Sequence, residues 1–196
     1  MTDSIGATTA GSSSRCTARF AWFAMTLALA GTLGSLALSW GLGLKACPLC
    51  FYQRTFVMAA FAILGVGLFV ERTRPGLICL LSVPMAWAGL GVAAFHEYLV
   101  LTNVLECPQA LLGIGTAPAQ SLAMFIVLAA ATSLGACCGR RESPRQGTST
   151  LVGAAILGAI MAVACVKSSP PLPAAPKQPY DSALDICRRP FVEAKD

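Results

Sequence analysis

Five times along the chain an apolar run recurs that is close to the length a helix needs to cross a bilayer, about 20 residues, with almost no charge inside it. The runs extend from Phe20 to near Leu44, from near Cys50 to Val70, from Gly76 to Phe95, from near Ala119 to Ala136, and from near Thr148 to Val166. Backbone in hydrocarbon has no water to bond to, so a spanning segment must be a helix or part of a closed barrel. None of the runs alternates with the period of two that a membrane strand requires. The expected fold is therefore all-α and membrane-embedded. Composition agrees: 12% of the 196 residues are charged, half the share of about 25% found in soluble domains. Pro84 falls inside the third run, where a kink is tolerated. Gly31, Gly34, Gly65 and Gly67 would let helices approach closely. The first run could also be a cleaved signal, with Ala37-Leu38-Ser39 as a small-residue site. It exceeds the apolar stretch of about 7–15 residues in such signals, so an uncleaved span is expected.

Charge orients the spans. Arg15, Arg19, Arg72, Arg74, Arg140, Arg141 and Arg145 fall at one set of ends, whereas the opposite connections hold Lys45 and no Lys or Arg from Glu97 to Ala119. The positive-inside rule makes the arginine-rich ends cytoplasmic. The net charge of +5 thus reads as a topology signal, not as a nucleic-acid surface. The expected organisation is a disordered cytoplasmic terminus over 1–19, whose first 14 residues are rich in Thr, Ser, Gly and Ala. A four-helix membrane domain follows over 20–136, then a cytoplasmic loop over 137–147 and a fifth transmembrane helix over 148–166. A Pro-rich extracytoplasmic tail occupies 167–196. Its five basic residues are offset by four acids and lie, Lys167 apart, well beyond the span.

Topology sorts the nine cysteines. Cys16, Cys137 and Cys138 fall at the cytoplasmic face and Cys79 near it, where thiols stay reduced. Cys47, Cys50, Cys107 and Cys187 fall outside, and Cys165 near the outer end of the fifth span. Four external cysteines allow three connectivities. A Pro-rich tether extends about 3.1 Å per residue, so the tail can reach the Cys107 loop. A static disulfide pinning the tail, or a bond from Cys187 to Cys165, also fits the sequence.

Cys47-Pro-Leu-Cys50 has the spacing of thiol oxidoreductases and equally of half a zinc site. No second such pair lies on the same side, and the chain's one histidine, His96, is the sole candidate near Cys107, so no metal is expected. Cys50 opens the second span, where the helix dipole favours a thiolate. Arg54 follows one turn later, just inside the membrane, where a charge marks a functional position by default or snorkels to headgroups.

Cys47-Pro-Leu-Cys50-Phe51-Tyr52-Gln53-Arg54 resembles the signature of the DsbB family of disulfide bond formation proteins. There a C-x-x-C pair opens the second helix of a four-helix membrane bundle, and an arginine follows the second cysteine by four residues. The resemblance covers roughly residues 20–136 and implies an enzyme of the bacterial inner membrane. Such an enzyme would reoxidise a periplasmic DsbA-like thioredoxin-fold protein and pass electrons to a quinone, ubiquinone or menaquinone. It implies that Cys47 and Cys50 are the quinone-proximal pair and that Arg54 and His96 lie at the quinone. In the family's best-known form both cysteines of a second pair lie in the second outer loop. Here that loop holds Cys107 alone, so Cys187 of the tail is the expected partner. Vitamin K epoxide reductase-type chemistry, a metal-binding or thiol-sensing membrane protein, and a purely structural protein are the competing readings.

Overall fold

The computed structural model describes residues 5–109, 113, 115–141, 147–172, 174, 176, 178–181 and 183–191, with backbone alone for 5–14 and 141. Five helices follow one another: α1 (Ile5–Trp40), α2 (Pro48–Val70), α3 (Pro75–Leu101), α4 (Ala117–Cys138) and α5 (Thr148–Ser168). Each is long and apolar enough to cross a membrane, counted from Arg15 in α1. Among the described residues no strand forms, and the extended pairings are two isolated bridges, Glu106 with Arg188 and Gln109 with Thr116. The all-α membrane fold is thus observed.

Prolines set the helix starts. Pro48 and Pro75 open α2 and α3, and Pro118 sits in the first turn of α4. A missing N–H is harmless there and the fixed φ suits a helix. Thr116 caps α4 by accepting from the Ala119 N–H. α1 stops at Trp40, before Gly43 turns the chain at φ 67°, a conformation glycine adopts without strain. The helix also runs back to Ile5, although the composition of residues 5–14 favours disorder; extending an existing helix adds one bond per residue fixed.

α3 is the axis of the bundle, packed on α2, α4 and α5. It buries 56% of its apolar window, against 11% for α5, so α5 is a peripheral helix lying on α3. The contact is made where Gly158 meets the Pro84 carbonyl; a Cβ there would come within 2.6 Å of that oxygen. Large apolar side chains such as Phe23, Leu33, Phe69, Ile126, Ile156 and Ile160 face outward, as lipid contact requires. Of the buried polar side chains, Thr32, Ser82 and Thr132 bond to carbonyls one turn back in their own helices. Gln53 and His96 reach across helices instead, and they lead to the site.

Candidate functional site

At the end of the bundle opposite the arginine-rich loops, α2 begins with Cys47 as its cap. The sequence reading opened this helix at Cys50; Pro48 moves the start forward by two residues. The backbone N–H of Cys50 donates to Cys47 Sγ at 3.2 Å, and the two sulfurs stand 2.9 Å apart as thiols. Cys47, just outside the span, is the residue the helix start acts on. Its thiol is held well below its ordinary pKa, first by the hydrogen bond with Cys50 and then by His96, against an opposing effect of burial.

Cys107, after α3, is bonded to Cys187 of the tail across 80 residues of sequence. The Sγ atoms of Cys47, Cys50 and Cys187 and a ring nitrogen of His96 all lie within 4.8 Å of one another. Cys165 stays in α5 as a thiol.

His96 is fully buried. Its Nε2 faces Cys107 Sγ at 3.4 Å and Cys47 Sγ at 3.8 Å. Its Nδ1 meets Gln53 Nε2 at 3.2 Å, and Ser121 Oγ donates to Gln53 Oε1 at 2.7 Å. Ser121 thereby turns the amide so that its NH₂ donates to Nδ1. A neutral imidazole accepting at Nδ1 carries its proton on Nε2, pointed at the sulfurs.

Arg54 does not snorkel. Its Nε donates to Ser35 Oγ at 2.8 Å, and Nη2 donates to the Ser35 carbonyl at 3.0 Å and Ser39 Oγ at 2.6 Å. The guanidinium is thus bonded to α1 at the edge of a cavity of about 310 Å³ between α1, α2 and α4. That lies at the low end of the range of about 300–1,000 Å³ for small-molecule sites. The walls are mainly apolar, with Leu38 and Met124 among them, and the polar lining includes Cys50, Gln53, Arg54 and Cys187. An apolar slot with a guanidinium fixed at its edge and a thiol in its wall suits a planar, weakly polar ring whose oxygens accept hydrogen bonds. A quinone has that shape and chemistry. His96 lies behind the sulfurs and is not among the residues lining this cavity.

The tail is held by more than its disulfide. Lys45 N–H donates to the Asp185 carbonyl at 2.8 Å, and the two side chains pair at 2.8 Å. Glu106 and Arg188 exchange backbone bonds of 2.8 and 3.0 Å, their side chains pair at 2.9 Å, and the guanidinium stacks 3.7 Å from the centre of the Tyr180 ring.

Sequence reasoning singled out the four outer cysteines, Arg54 and His96, and these converge on one end of the bundle. It assigned no role to Gln53, Ser121, Ser35 or Ser39. The available signal was polarity within apolar spans, where such side chains face protein and not lipid.

A family model described as disulfide bond formation protein DsbB matches residues 18–167. A probable disulfide formation protein of Chlamydia pneumoniae is 35% identical over 78 residues, 40% of this chain and 55% of that protein. One from Chlamydia trachomatis serovar D is 30% identical over 109 residues, covering 50% of this chain and 78% of that protein. One from Deinococcus radiodurans is 40% identical over 76 residues, 39% and 48% of the two chains. The chain thus spans about half the length of the first and third of these relatives. No solved structure matches.

Proposed function

The chain belongs to the DsbB family of disulfide bond formation proteins, and from that premise we propose that it is a protein-disulfide:quinone oxidoreductase. It reoxidises a periplasmic DsbA-like thioredoxin-fold protein and delivers the electrons to ubiquinone or menaquinone in the bacterial inner membrane. One observation carries the reading: Cys187, from the disulfide, and Cys50, from the dithiol, line the same apolar cavity as Arg54. The arginine distribution supports a periplasmic position for the sulfurs.

Electrons move by thiol–disulfide exchange. A donor thiolate attacks the Cys107–Cys187 bond, forming a mixed disulfide with one sulfur while the other leaves as thiolate. The donor's second thiolate displaces the remaining sulfur, so the donor departs oxidised and both cysteines are left reduced. Charge on Cys107 meets the Nε2–H of His96. With Cys47–Cys50 in its disulfide form, the Cys187 thiolate attacks that bond, and Cys107 then closes back onto Cys187. The electron pair ends on Cys47 and Cys50. Since Cys187 Sγ already lies within 4.8 Å of both, the exchange needs no large excursion of the tail.

A bound quinone supplies the two-electron, two-proton acceptor that the chain lacks, and Cys50 and Arg54 are the residues that would hold it. Ser35 and Ser39 hold the guanidinium at the cavity edge, where its charge would favour an anionic group.

The test is quinone reduction by the purified protein with a reduced thioredoxin-fold donor. Cys47→Ser, Cys107→Ser and Cys187→Ser are each expected to abolish turnover; undiminished quinone reduction by Cys47→Ser would overturn the proposal. The mutual approach of Cys47, Cys50, His96 and Cys187 favours one second reading, a soft-metal site formed once Cys187 is released. Stoichiometric zinc in the reduced, purified protein would favour it.

A further inference from the structure

At the arginine-rich end of the bundle, Cys16 near the start of the membrane part of α1 faces Cys138, the last residue of α4. Their sulfurs are 3.2 Å apart and partly buried. We infer that Cys16 and Cys138 form a second redox site, which closes to a disulfide on reaction with an anionic low-molecular-weight disulfide. Nothing in the outer relay uses these sulfurs, so the inference stands or falls apart from the proposed function.

The approach is built into the helix packing. Next to Cys138, Gly139 lies against the Gly76 backbone and the Thr17 methyl, so closely that a Cβ would come within 2.5 Å of Gly76 Cα. Thr17, the neighbour of Cys16, is fully buried. The end of α4 is thus pressed onto the start of α3, and the same glycine faces the Thr17 methyl of α1, which brings the neighbouring Cys16 and Cys138 sulfurs together. A disulfide bond is about 2.05 Å long, so closure needs the sulfurs to move about 1 Å nearer, within reach of side-chain rotation.

The partner choice is also constrained. Cys137 is adjacent to Cys138 in sequence, and neighbouring Cα atoms are about 3.8 Å apart, below the usual lower limit of about 4.4 Å for a disulfide. Cys137 Sγ instead lies 3.9 Å from Arg140 Nη2. Cys79 is fully buried and out of reach of a polar oxidant. Arg15, Arg19, Arg72, Arg74 and Arg140 surround this end in sequence and give it a positive field that draws an anionic disulfide.

The chemistry balances with that co-reactant. One thiolate of the pair attacks the small disulfide, forming a mixed disulfide and releasing one small thiolate. The second protein thiolate then displaces the other half, forming the Cys16–Cys138 bond. The protein loses two electrons and two protons, and the small disulfide is reduced to two thiols. In a reducing compartment the site rests open, and it closes when the oxidised fraction rises.

Glutathione disulfide is the probe. Protein in lipid nanodiscs is incubated with it, quenched in acid, denatured and alkylated with a mass-tagged maleimide. Counting is done in a Cys47→Ser/Cys50→Ser background so that the outer dithiol contributes nothing. Two taggable thiols are expected to disappear, and Cys16→Ser or Cys138→Ser to prevent that loss, whereas Cys137→Ser leaves it intact. Peptide mapping of the wild type provides an arm that depends on no variant folding, and should yield a Cys16–Cys138 cross-linked peptide. Unchanged tagging, a persistent glutathione adduct on either cysteine, or a bond involving Cys137 would each overturn the inference.

Discussion

At the residue scale, the site depends on which ring nitrogen of His96 carries the proton. Ser121 orients Gln53, and Gln53 donates to Nδ1, so Nε2–H faces Cys107 and Cys47. A hydrogen bond to a charged sulfur is worth about 1.5–3 kcal/mol, so Gln53→Ala should slow donor oxidation about tenfold or more in a stopped-flow assay. Gln53→Glu gives a sharper readout. A carboxylate accepts from Nδ1–H, which leaves Nε2 of the neutral imidazole without its proton, so Gln53→Glu should slow donor oxidation about as much as Gln53→Ala although it keeps the side chain's size. Loss of packing alone would leave its rate near wild type. Cys47 supplies a pH test. Its lowered pKa keeps the thiolate populated as pH falls through the ordinary thiol range of about 8.5. Iodoacetamide labelling of the reduced protein should therefore persist at Cys47 at pH 6, where an ordinary thiol is unreactive. The stability linked to this group follows the same sign: it is present in full above the ordinary thiol range, declines as pH falls below it, and is gone once pH has fallen through the lowered pKa. The motif through Arg54 was legible in the sequence because its chemistry is local, spaced by helical turns. The Gln53–His96–Ser121 chain was not, because it depends on the register of α2, α3 and α4 against one another.

At the element scale, apolar length located all five helices but misjudged where they end. α3 continues to Leu101, six residues past Phe95, because a helix does not stop where hydrocarbon does. That extension carries His96 on a rigid element under the sulfurs. The opening of α2 shifted for the opposite reason: Pro48, not the apolar run, sets the first turn, which makes Cys47 the cap. The docking of α5 is the least legible feature, since nothing in its apolar run identifies its partner. Gly158 supplies the answer after the fact, through its approach to Pro84 and Trp87 on α3. Overpacking of this kind costs about 1–3 kcal/mol, and here the obstacle is backbone, which cannot rotate aside. Gly158→Leu should lower the melting temperature of the detergent-solubilised protein, whereas Gly153→Leu on the same helix, with nothing within 4 Å of an added Cβ, should not.

At the scale of the whole molecule, the tail closes the cysteine-bearing end of the bundle, returning Cys187 to the α3–α4 connection after α5. Counting spans and cysteines by side made this return conceivable from the sequence; the contacts that hold it were not, because Asp185 and Arg188 find Lys45 and Glu106 from more than 80 residues away. The two ion pairs should not matter equally. Lys45 raises the ionised fraction of Asp185 and the reverse, so their attraction is present between the acid and alkaline extremes. It fades as pH falls through the lowered carboxylate pKa or rises through the raised amine pKa. The side chains of Lys45 and Asp185 are 71% and 41% exposed, salt screens them, and Lys45→Ala should leave donor oxidation within about twofold of wild type. Arg188 is different: its side chain is 16% exposed, with a carboxylate, a ring and a backbone bridge holding it. By ordering the tail it raises the effective concentration of Cys187 at Cys107, which makes their disulfide harder to reduce. An anchor of about 1 kcal/mol changes such an equilibrium about fivefold. Arg188→Ala should therefore lower, by about that factor, the quotient of the squared reduced to the oxidised glutathione concentration at which half the Cys107–Cys187 bond is open, read by thiol trapping in the Cys47→Ser/Cys50→Ser background. An unchanged midpoint would mean that the disulfide alone positions the tail.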